Sequence, residues 1–277
     1  RDRLRSRGLG DVYKRQETRF SLPLHTVLCT DKIPEMPELR ASFSTSFAAG
    51  SLCSENRVHN IAKGALLIDG SIVPAGQTFS CNDSLGVRSR ENGWLPATAF
   101  ANGGAETRQE YGGGICQIST TLYNAVLRSD LEIIARSGHT RKVRYIGGGL
   151  DAALSGKDKD FVFRNNTDSD IYVFMWVDES QKTLCCEIYG CPFPSDFDRV
   201  DTVSELTSST PPSEPQFVLD SALEPGECVL KRKAIAGSTY QSYRVYSLNG
   251  EIIRRVPIDK TEYPMHPALY AVGQGKS

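Results

Sequence analysis

Apolar positions recur with the period of an α-helix in two segments of the chain. Residues 57–67 and residues 115–127 both place apolar side chains three or four positions apart, which is the spacing that gives a helix one buried face. The second segment starts directly after Gly112, Gly113 and Gly114, whose lack of a Cβ lets the backbone turn sharply before the helix begins. We therefore predict two helices that each pack one face against a core.

Downstream of the second predicted helix, the pattern changes to short runs that are rich in β-branched and aromatic residues. Clusters of Gly, Asn, Asp and Ser separate these runs, which is typical of antiparallel hairpins. Residues 41–192 are therefore predicted to be an α+β domain, with helices packed against antiparallel β-hairpins. The four predicted strands are residues 142–145, 161–163, 171–177 and 183–189.

A break in composition separates this domain from the rest of the chain. Residues 202–215 are dominated by Ser, Thr, Pro and Glu and show no apolar period, so they are predicted to be a linker. Residues 216–277 contain three further β-rich runs, and Asn249-Gly250 between the last two predicts a tight hairpin turn. We expect a small all-β domain there. Its predicted strands lie at residues 228–232, 240–247 and 252–258.

The N-terminal residues differ from the rest of the chain in composition and sequence pattern. Residues 1–16 have neither an initiator Met nor an apolar core, so they are not a signal peptide and are expected to be a non-native segment. Residues 17–40 hold three prolines around a weak alternation, which predicts one strand and an extended connector at the end of a preceding domain. The native N-terminus, with any membrane anchor or export signal, is expected to be missing from this sequence.

Composition argues against two broad classes of partner. Of the 277 residues, 39% are hydrophobic and 23% are charged, which is enough to form a globular core. Residues 1–16 carry six Lys or Arg against two Asp, which leaves 26 basic and 31 acidic residues and a net charge of −5 over the remainder. This balance argues against a nucleic-acid partner held by bulk charge. The longest apolar runs, such as Ile171 to Val177, are far shorter than the roughly 20 residues that span a bilayer, so no membrane contact is predicted within this fragment.

Cys116 is the strongest candidate for chemistry. It lies in the first turn of the second predicted helix and projects away from the apolar stripe. There the positive end of the helix dipole and unpaired amides lower the pKa of a thiol and favour the nucleophilic thiolate. The competing interpretation is that the glycine turn only closes the helix against a sheet and that Cys116 is a small, half-buried residue. A phosphate-binding loop is a weaker interpretation, because neither the Walker motif nor a complete GxGxxG is present.

A thiolate that transfers acyl groups also needs a base, and His139 is the best candidate of the four histidines. It follows the cysteine helix in a segment where the chain must turn back; a solvated loop histidine is the alternative. The eight cysteines are irregularly spaced, and Cys185, Cys186 and Cys191 lack a second CxxC or a nearby His that would complete a zinc site. No metal and no cofactor is predicted.

Seven motifs that occur in order resemble those of the VanW domain. The resemblance covers residues 42–190, and the VanW-like catalytic domain is assigned to residues 41–192. Residues 17–39 resemble the end of a peptidoglycan-binding repeat, and residues 217–273 resemble the G-five domain, a β-rich wall-associated module. The motifs are Phe43-Ser-Thr-Ser-Phe, Asn56-Arg57 with Asn60-Ile61, Pro74-Ala-Gly-Gln-Thr-Phe-Ser with Asn82, Leu85-Gly86, Gly112-Gly-Gly-Ile-Cys-Gln-Ile-Ser-Thr-Thr-Leu-Tyr-Asn, Arg136 with His139, and Gly149-Leu-Asp-Ala.

The resemblance implies a role in the cell envelope. Some VanW-family members are understood to be L,D-transpeptidases, which form 3-3 cross-links in peptidoglycan. For this chain that implies Cys116 as the nucleophile of a cysteine acyl-enzyme, His139 as the base and a peptidoglycan stem tetrapeptide as the substrate. It further implies that the C-terminal domain binds cell-wall glycan and that the protein is extracytoplasmic and wall-associated in a Gram-positive bacterium. The residues expected to contact the stem peptide are Arg57, Gly113, Gly114, Gln117, Ser119, Thr120, Arg136 and Asp151, with the amides of residues 114–117 as an oxyanion hole. The structural alternatives are that Ser119 and Thr120 only bond the preceding helical turn and that Arg136 only caps the C-terminus of the helix.

Two other functions stay open at this point. A non-catalytic module that binds peptidoglycan or a glycopeptide, linked to vancomycin-type resistance, would hold a stem carboxylate with the amides of the glycine turn. A structural surface protein would only space other domains from the wall. The catalytic interpretation requires Cys116 to be unpaired. Cys185 and Cys186 are expected to point to opposite faces of one strand, which disfavours a bond between them.

Overall fold

The computed structural model describes residues 37–48, 54–101, 106–156 and 158–274. The predicted non-native segment and nearly all of the predicted N-terminal connector lie outside these ranges. The described chain is mostly β-sheet, with few helices. Its helices are α1 (Glu55–Ile68), α2 (Cys81–Leu85) and α3 (Ile115–Arg128). Its strands are β1 (Glu38–Ser46), β2 (Ser71–Val73), β3 (Thr78–Ser80), β4 (Pro96–Ala101), β5 (Glu106–Tyr111), β6 (Glu132–Ala135), β7 (Val162–Arg164), β8 (Ile171–Asp178), β9 (Thr183–Gly190), β10 (Arg199–Thr210), β11 (Gln216–Leu219), β12 (Cys228–Arg232), β13 (Gly237–Leu248), β14 (Glu251–Tyr263) and β15 (Leu269–Val272).

The first sheet supports the core of the N-terminal domain. Its strand order is β1-β9-β8-β2, and every neighbouring pair is antiparallel. Strand β9 alternates strictly, so Leu184, Cys186 and Ile188 are buried whereas Cys185 lies half-buried on the opposite face, as the two-residue period requires. Helices α1 and α3 pack against this sheet. The structure therefore has the β8-β9 hairpin and both long helices as predicted. The adjacent residues Cys185 and Cys186 also point to opposite faces, as predicted.

A long irregular segment between β6 and β7 carries much of the candidate site. Strands β6 and β7 are neighbours in a small antiparallel sheet with β3, and residues 136–161 leave and re-enter that sheet. The strand predicted at residues 142–145 is wrong, because this stretch is irregular and bends at residues 144 and 145. Hydrogen bonds from side chains of α3, rather than backbone pairing with a strand, hold this segment in place. Ser119 and Thr120 both bond to the backbone of Ala152.

The C-terminal residues form two three-stranded sheets, β10-β13-β14 and β11-β15-β12. Most of the predicted linker is instead a strand, because β10 covers residues 199–210 and pairs with β13 along its length. Strand β10 lies at a sheet edge and its second half is largely exposed, so it needs no apolar period there and polar Ser and Thr residues suit it. The hairpin turn predicted at Asn249-Gly250 joins β13 to β14, with φ of 53° and 84°.

The β10-β13-β14 sheet packs directly against the N-terminal domain. From β13, Ser242 Oγ donates to the Gly149 carbonyl over 3.0 Å, and the Tyr246 hydroxyl donates to Asp130 Oδ1 over 2.6 Å. Strand β10 packs against α3. Residues 117–127 of α3 are all buried, including the polar positions that a one-faced helix would leave to solvent. Cys116, at the N-terminal end of α3, stays half-buried.

Candidate active site

The glycine turn before α3 fits only residues without a side chain. Gly114 has a φ of +116°, a backbone region that favours glycine. A Cβ on Gly113 would lie 2.4 Å from the carbonyl oxygen of Ala97 on β4. Asn60 Nδ2, on α1, donates to the Gly113 carbonyl over 3.0 Å and fixes the turn against that helix. The turn therefore delivers Cys116 into the first turn of α3 in a defined position.

The Cys116 sulfur is held between the irregular segment and His139. The Leu154 amide donates to Sγ over 3.4 Å, the thiol is free, and the His139 ring makes a hydrogen bond with it. Burial alone would raise the pKa of this thiol. The hydrogen bond and charge of His139, the Leu154 amide and the positive charge of Arg57 outweigh burial, so the pKa of Cys116 lies below its usual value. The surroundings of Cys116 therefore favour the thiolate.

Asp151 orients His139 through both its backbone and its ring. The Asp151 Oδ2 atom accepts from the His139 amide over 2.7 Å and lies 2.5 Å from ring Nδ1. Because Nδ1 is engaged, Nε2 is the ring nitrogen left for the Cys116 sulfur. Burial would lower the pKa of His139, but its hydrogen bonds to Asp151 and Cys116 raise that pKa to about 9. Burial would raise the pKa of Asp151, but its bonds to His139 and the Tyr263 hydroxyl bring it to about 2.

These shifts favour a thiolate and an imidazolium that interact with each other, with a carboxylate on the far side of the imidazolium. The charges of Cys116 and His139 stabilise each other, and Asp151 stabilises the imidazolium from the other side of the ring. A thiolate beside a protonated base can attack a carbonyl carbon and then have a proton delivered to the leaving group. The arrangement is therefore chemically suited to acyl transfer through a covalent thioester.

Two residues that the sequence places against substrate are bonded within the protein instead. Asp151 is fully buried and faces His139, so it orients the base rather than the substrate. The Arg136 side chain is 5% exposed, its Nε donates to the Asp151 carbonyl over 2.6 Å, and its Nη1 donates to Asp259 Oδ2 and Thr261 Oγ1 over 2.8 Å each. Arg136 therefore has no free pair of donors for a substrate carboxylate.

Three polar residues of α3 are also structural rather than substrate-facing. Gln117 is fully buried, and its side-chain oxygen Oε1 accepts from Arg57 Nη2 over 3.2 Å. Ser119 and Thr120 are fully buried and hold Ala152 in place. Ser119 Oγ donates to the Ala152 carbonyl over 2.7 Å, and the Ala152 amide donates to Thr120 Oγ1 over 3.0 Å. The prediction placed all three against the stem peptide because it did not foresee that the irregular segment and the C-terminal sheet cover α3.

Arg57 is the predicted binding residue that keeps free donor capacity beside the thiol. Its stem lies over the glycine turn, since a Cβ on Gly114 would be 3.1 Å from Arg57 Cγ. The residue is only 8% exposed, and no acceptor among the described residues faces its buried Nε. Tyr145, which the sequence analysis did not select, buries its hydroxyl beside Thr120 and close to the charges of Arg57 and Cys116. These groups form a polar, cationic wall next to the sulfur.

Two of the four amides predicted as oxyanion-hole donors are bonded within the protein. The Ile115 amide donates to the Gly112 carbonyl over 3.1 Å, and the Gln117 amide donates to the Gly114 carbonyl over 2.9 Å. These two amides are therefore committed to the turn. For the amides of Gly114 and Cys116, no acceptor is seen within the described part of the chain, which leaves them as the backbone donors of the predicted set.

The described residues contain neither a metal-binding cluster nor a membrane-spanning helix. In the ranges 37–48, 54–101, 106–156 and 158–274, no three His, Cys, Asp or Glu side chains are grouped so that they could hold a metal ion. Across the same ranges, no helix is both long and apolar enough to cross a bilayer.

Known proteins are similar to this chain over the part that contains the site. A family model described as VanW like protein matches residues 56–189. The uncharacterized protein YoaR of Bacillus subtilis is 41% identical over 120 residues, which cover 43% of this chain and 39% of YoaR. The vancomycin B-type resistance protein VanW of Enterococcus faecalis is 30% identical over 132 residues, which cover 46% of this chain and 47% of that protein. The chain thus matches less than half the length of either relative.

A solved structure is also similar to part of the chain. The G-five domain of an IgA1 protease is 17% identical, covers 28% of this chain and 92% of that domain, and has a TM-score of 0.20; at that score the likeness decides neither fold nor function. The matched range 56–189 contains α1, the glycine turn, Cys116, His139 and Asp151. Within that range, which is just under half of the chain, this chain is similar to the VanW family.

Proposed function

We propose that this chain is a cysteine-dependent acyltransferase of the cell envelope, an L,D-transpeptidase that forms 3-3 cross-links between peptidoglycan stem peptides. The observation that carries the proposal is the hydrogen-bonded series Cys116, His139 and Asp151 beside an unpaired arginine donor. A module that only binds stem peptides would need neither an activated thiol nor a base oriented through its ring. The cell-envelope setting is supported by the family and by one relative, which is named as a vancomycin resistance protein.

The first half-reaction forms a thioester. The Cys116 thiolate attacks the carbonyl carbon of the third stem residue, and the carbonyl oxygen becomes an oxyanion. The amides of Gly114 and Cys116 and the Arg57 guanidinium are the donors proposed to stabilise that charge. When the carbon–nitrogen bond breaks, the His139 imidazolium donates its proton to the departing nitrogen, and D-Ala leaves as a neutral amine.

The second half-reaction forms the cross-link. The side-chain amine of the third residue on a neighbouring stem attacks the thioester carbonyl, and neutral His139 accepts the proton that this nitrogen releases. The carbon–sulfur bond then breaks, the Cys116 thiolate leaves and the thiolate–imidazolium pair is restored. The product is an amide between two third residues. Asp151 keeps the His139 ring oriented through both halves of the cycle.

Three parts of the proposal concern the rest of the molecule. The C-terminal residues 216–277 bind cell-wall glycan and keep the enzyme near its substrate. The protein works outside the cytoplasm, in the wall of a Gram-positive bacterium. Residues 41–192 form the catalytic domain, since they include every side chain given a role in bond making or breaking.

The proposal is tested by incubating purified protein with tetrapeptide muropeptides and measuring 3-3 dimers by chromatography and mass spectrometry. Wild-type protein is expected to form dimers and Cys116→Ala none. Cys185→Ala is the matched control, because this thiol is also free and half-buried but lies on β9, away from His139. Dimers formed by Cys116→Ala at the wild-type rate would refute the enzyme assignment. Tetrapeptide binding without any dimer, unchanged in Cys116→Ala, would establish the binding module instead.

A further inference from the structure

Strand β14 of the C-terminal sheet reaches the back of the proposed active site. Its residues Asp259, Thr261 and Tyr263 alternate along the strand, so their side chains share one face. Asp259 and Thr261 each accept from Arg136 Nη1 over 2.8 Å. The Tyr263 hydroxyl bonds to Asp151 Oδ1 over 2.5 Å. One face of a strand that lies outside the matched VanW range therefore contacts the orienting carboxylate of Asp151 and its neighbour Arg136.

We propose that Tyr263 is a positioning residue of the active site, whose hydroxyl holds the Asp151 carboxylate in the orientation that directs His139 toward Cys116. The inference rests on the proposed function. It also makes the thiol's activation depend on a docked C-terminal sheet.

The direction of the Tyr263 hydrogen bonds is fixed by its second partner. The Gly149 amide donates to the Tyr263 oxygen over 2.8 Å, so the hydroxyl proton is left to point at Asp151. Tyr263 is 3% exposed and Asp151 is fully buried, so water does not readily replace this bond. The hydroxyl is therefore an oriented donor to a carboxylate, the stronger class of hydrogen bond.

The two oxygens of Asp151 have separate partners. Oδ2 accepts from the amide and ring of His139, whereas Oδ1 accepts from Tyr263 over 2.5 Å and from Arg136 Nη2 over 3.3 Å. Without the Tyr263 hydroxyl, Oδ1 keeps only the longer contact among the described residues. The carboxylate is then free to rotate, and a rotation moves Oδ2 away from the His139 ring.

The same interface offers a matched control on the neighbouring strand. Tyr246 on β13 is 4% exposed, and its hydroxyl donates to Asp130 Oδ1 over 2.6 Å across the boundary between the two domains. Asp130 contacts neither His139 nor Cys116 in any described hydrogen bond. Tyr246→Phe thus removes a comparable tyrosine–aspartate bond from the same docked sheet without touching the support of the base.

The test compares wild type, Tyr263→Phe and Tyr246→Phe in the full chain by the pH dependence of Cys116 alkylation with iodoacetamide, read by peptide mass spectrometry. The charged or titratable groups that interact with the thiol are His139, Arg57, Tyr145 and the buried Cys81. We expect Tyr263→Phe to raise the alkylation midpoint by about half a pH unit and to lower 3-3 dimer formation about tenfold. Tyr246→Phe should leave both unchanged.

The outcomes separate this inference from the proposed function. A wild-type midpoint in Tyr263→Phe, or an equal rise in both variants, overturns the positioning role even if wild-type protein forms 3-3 dimers. A wild-type thiol that lacks a lowered midpoint counts against the proposed function itself. If Tyr263→Phe does not fold, Asp259→Asn takes its place, because this side chain is 46% exposed and bonds to Arg136 rather than to the triad of Cys116, His139 and Asp151. It should give a smaller rise, because it acts only through the contact of Arg136 Nη2 with Asp151 Oδ1, and no rise would overturn the dependence of the thiol on the docked sheet.

Discussion

Replacing Asp151 with Asn should disable the base while leaving the shape of the site unchanged. The substitution keeps the size of the side chain but removes the negative charge that faces the His139 ring at 2.5 Å. The histidine pKa lies at about 9 against an ordinary 6.5, which corresponds to about 3.4 kcal/mol of preference for the imidazolium. Hydrogen bonding to Asp151 is the largest of the effects that raise it.

The expected effect of Asp151→Asn follows from dividing this preference for the imidazolium between the two partners of the His139 ring, Asp151 and Cys116. If Asp151 supplies about half of it, the paired state of Cys116 and His139 loses about 1.7 kcal/mol, roughly a 15-fold fall in population relative to the neutral pair. The midpoint for alkylation of Cys116 should rise by about one pH unit. Turnover should fall about 100-fold, because an asparagine also stabilises the wrong ring tautomer, as in other triads.

The assay measures alkylation of Cys116 between pH 5 and pH 10 by peptide mass spectrometry, with exposed Cys228 in the same chain as an internal reference. Asp130→Asn is the matched control, because Asp130 also accepts a tyrosine hydrogen bond, from Tyr246, but lies away from the triad. A wild-type alkylation midpoint in Asp151→Asn would refute the claim that this carboxylate supports the ion pair.

Three further predictions follow from the same geometry. The rate of dimer formation should fall at both low and high pH. It falls as pH drops through the lowered pKa of the Cys116 thiol, because the thiolate is lost, and it falls as pH rises through about 9, because His139 loses its proton. A rate that keeps rising above pH 10 would contradict this. Cys116→Ser should fold normally and be nearly inactive, because a serine hydroxyl stays protonated where the thiol ionises; wild-type turnover would count against a preformed anion. Gly113→Ala should lower the free energy of unfolding in urea by about 2 kcal/mol through its clash with Ala97, whereas Gly147→Ala, with no atom within 4 Å of its added Cβ, should not.

Much of the fold was predictable because it is encoded in local periodicity. The helical period of α1 and α3, the alternation of β8 and β9 and the Asn249-Gly250 turn all act over a few residues. The wrong predictions are of segments whose secondary structure depends on tertiary contacts. Residues 142–145 have the composition of a strand but form an irregular, bent stretch. The polar stretch at the start of the predicted linker is an edge strand because β13 pairs with it.

In the candidate site, too, some residues were predictable from local sequence and others depend on tertiary contacts. Cys116 was found from the glycine turn and its place in the first helical turn, and the structure brings it together with His139. The inward turn of Arg136 and Asp151 was not predictable, because it depends on β14, which follows them by more than 100 residues. Tyr263 has no local feature that marks it, since a tyrosine at the end of a strand is ordinary. Such support is visible only once the two domains are packed together.

The measurement that tests the central claim most directly is the intact mass of the protein after incubation with a synthetic stem tetrapeptide and no acceptor amine, followed by an acid quench. The account predicts one covalent adduct with the mass of the tripeptide acyl group, located on Cys116, with one D-Ala released per adduct. Cys116→Ala should give no adduct and no D-Ala. An unchanged wild-type mass, with the tetrapeptide bound but intact, would contradict the claim that Cys116 is an acyl-transferring nucleophile.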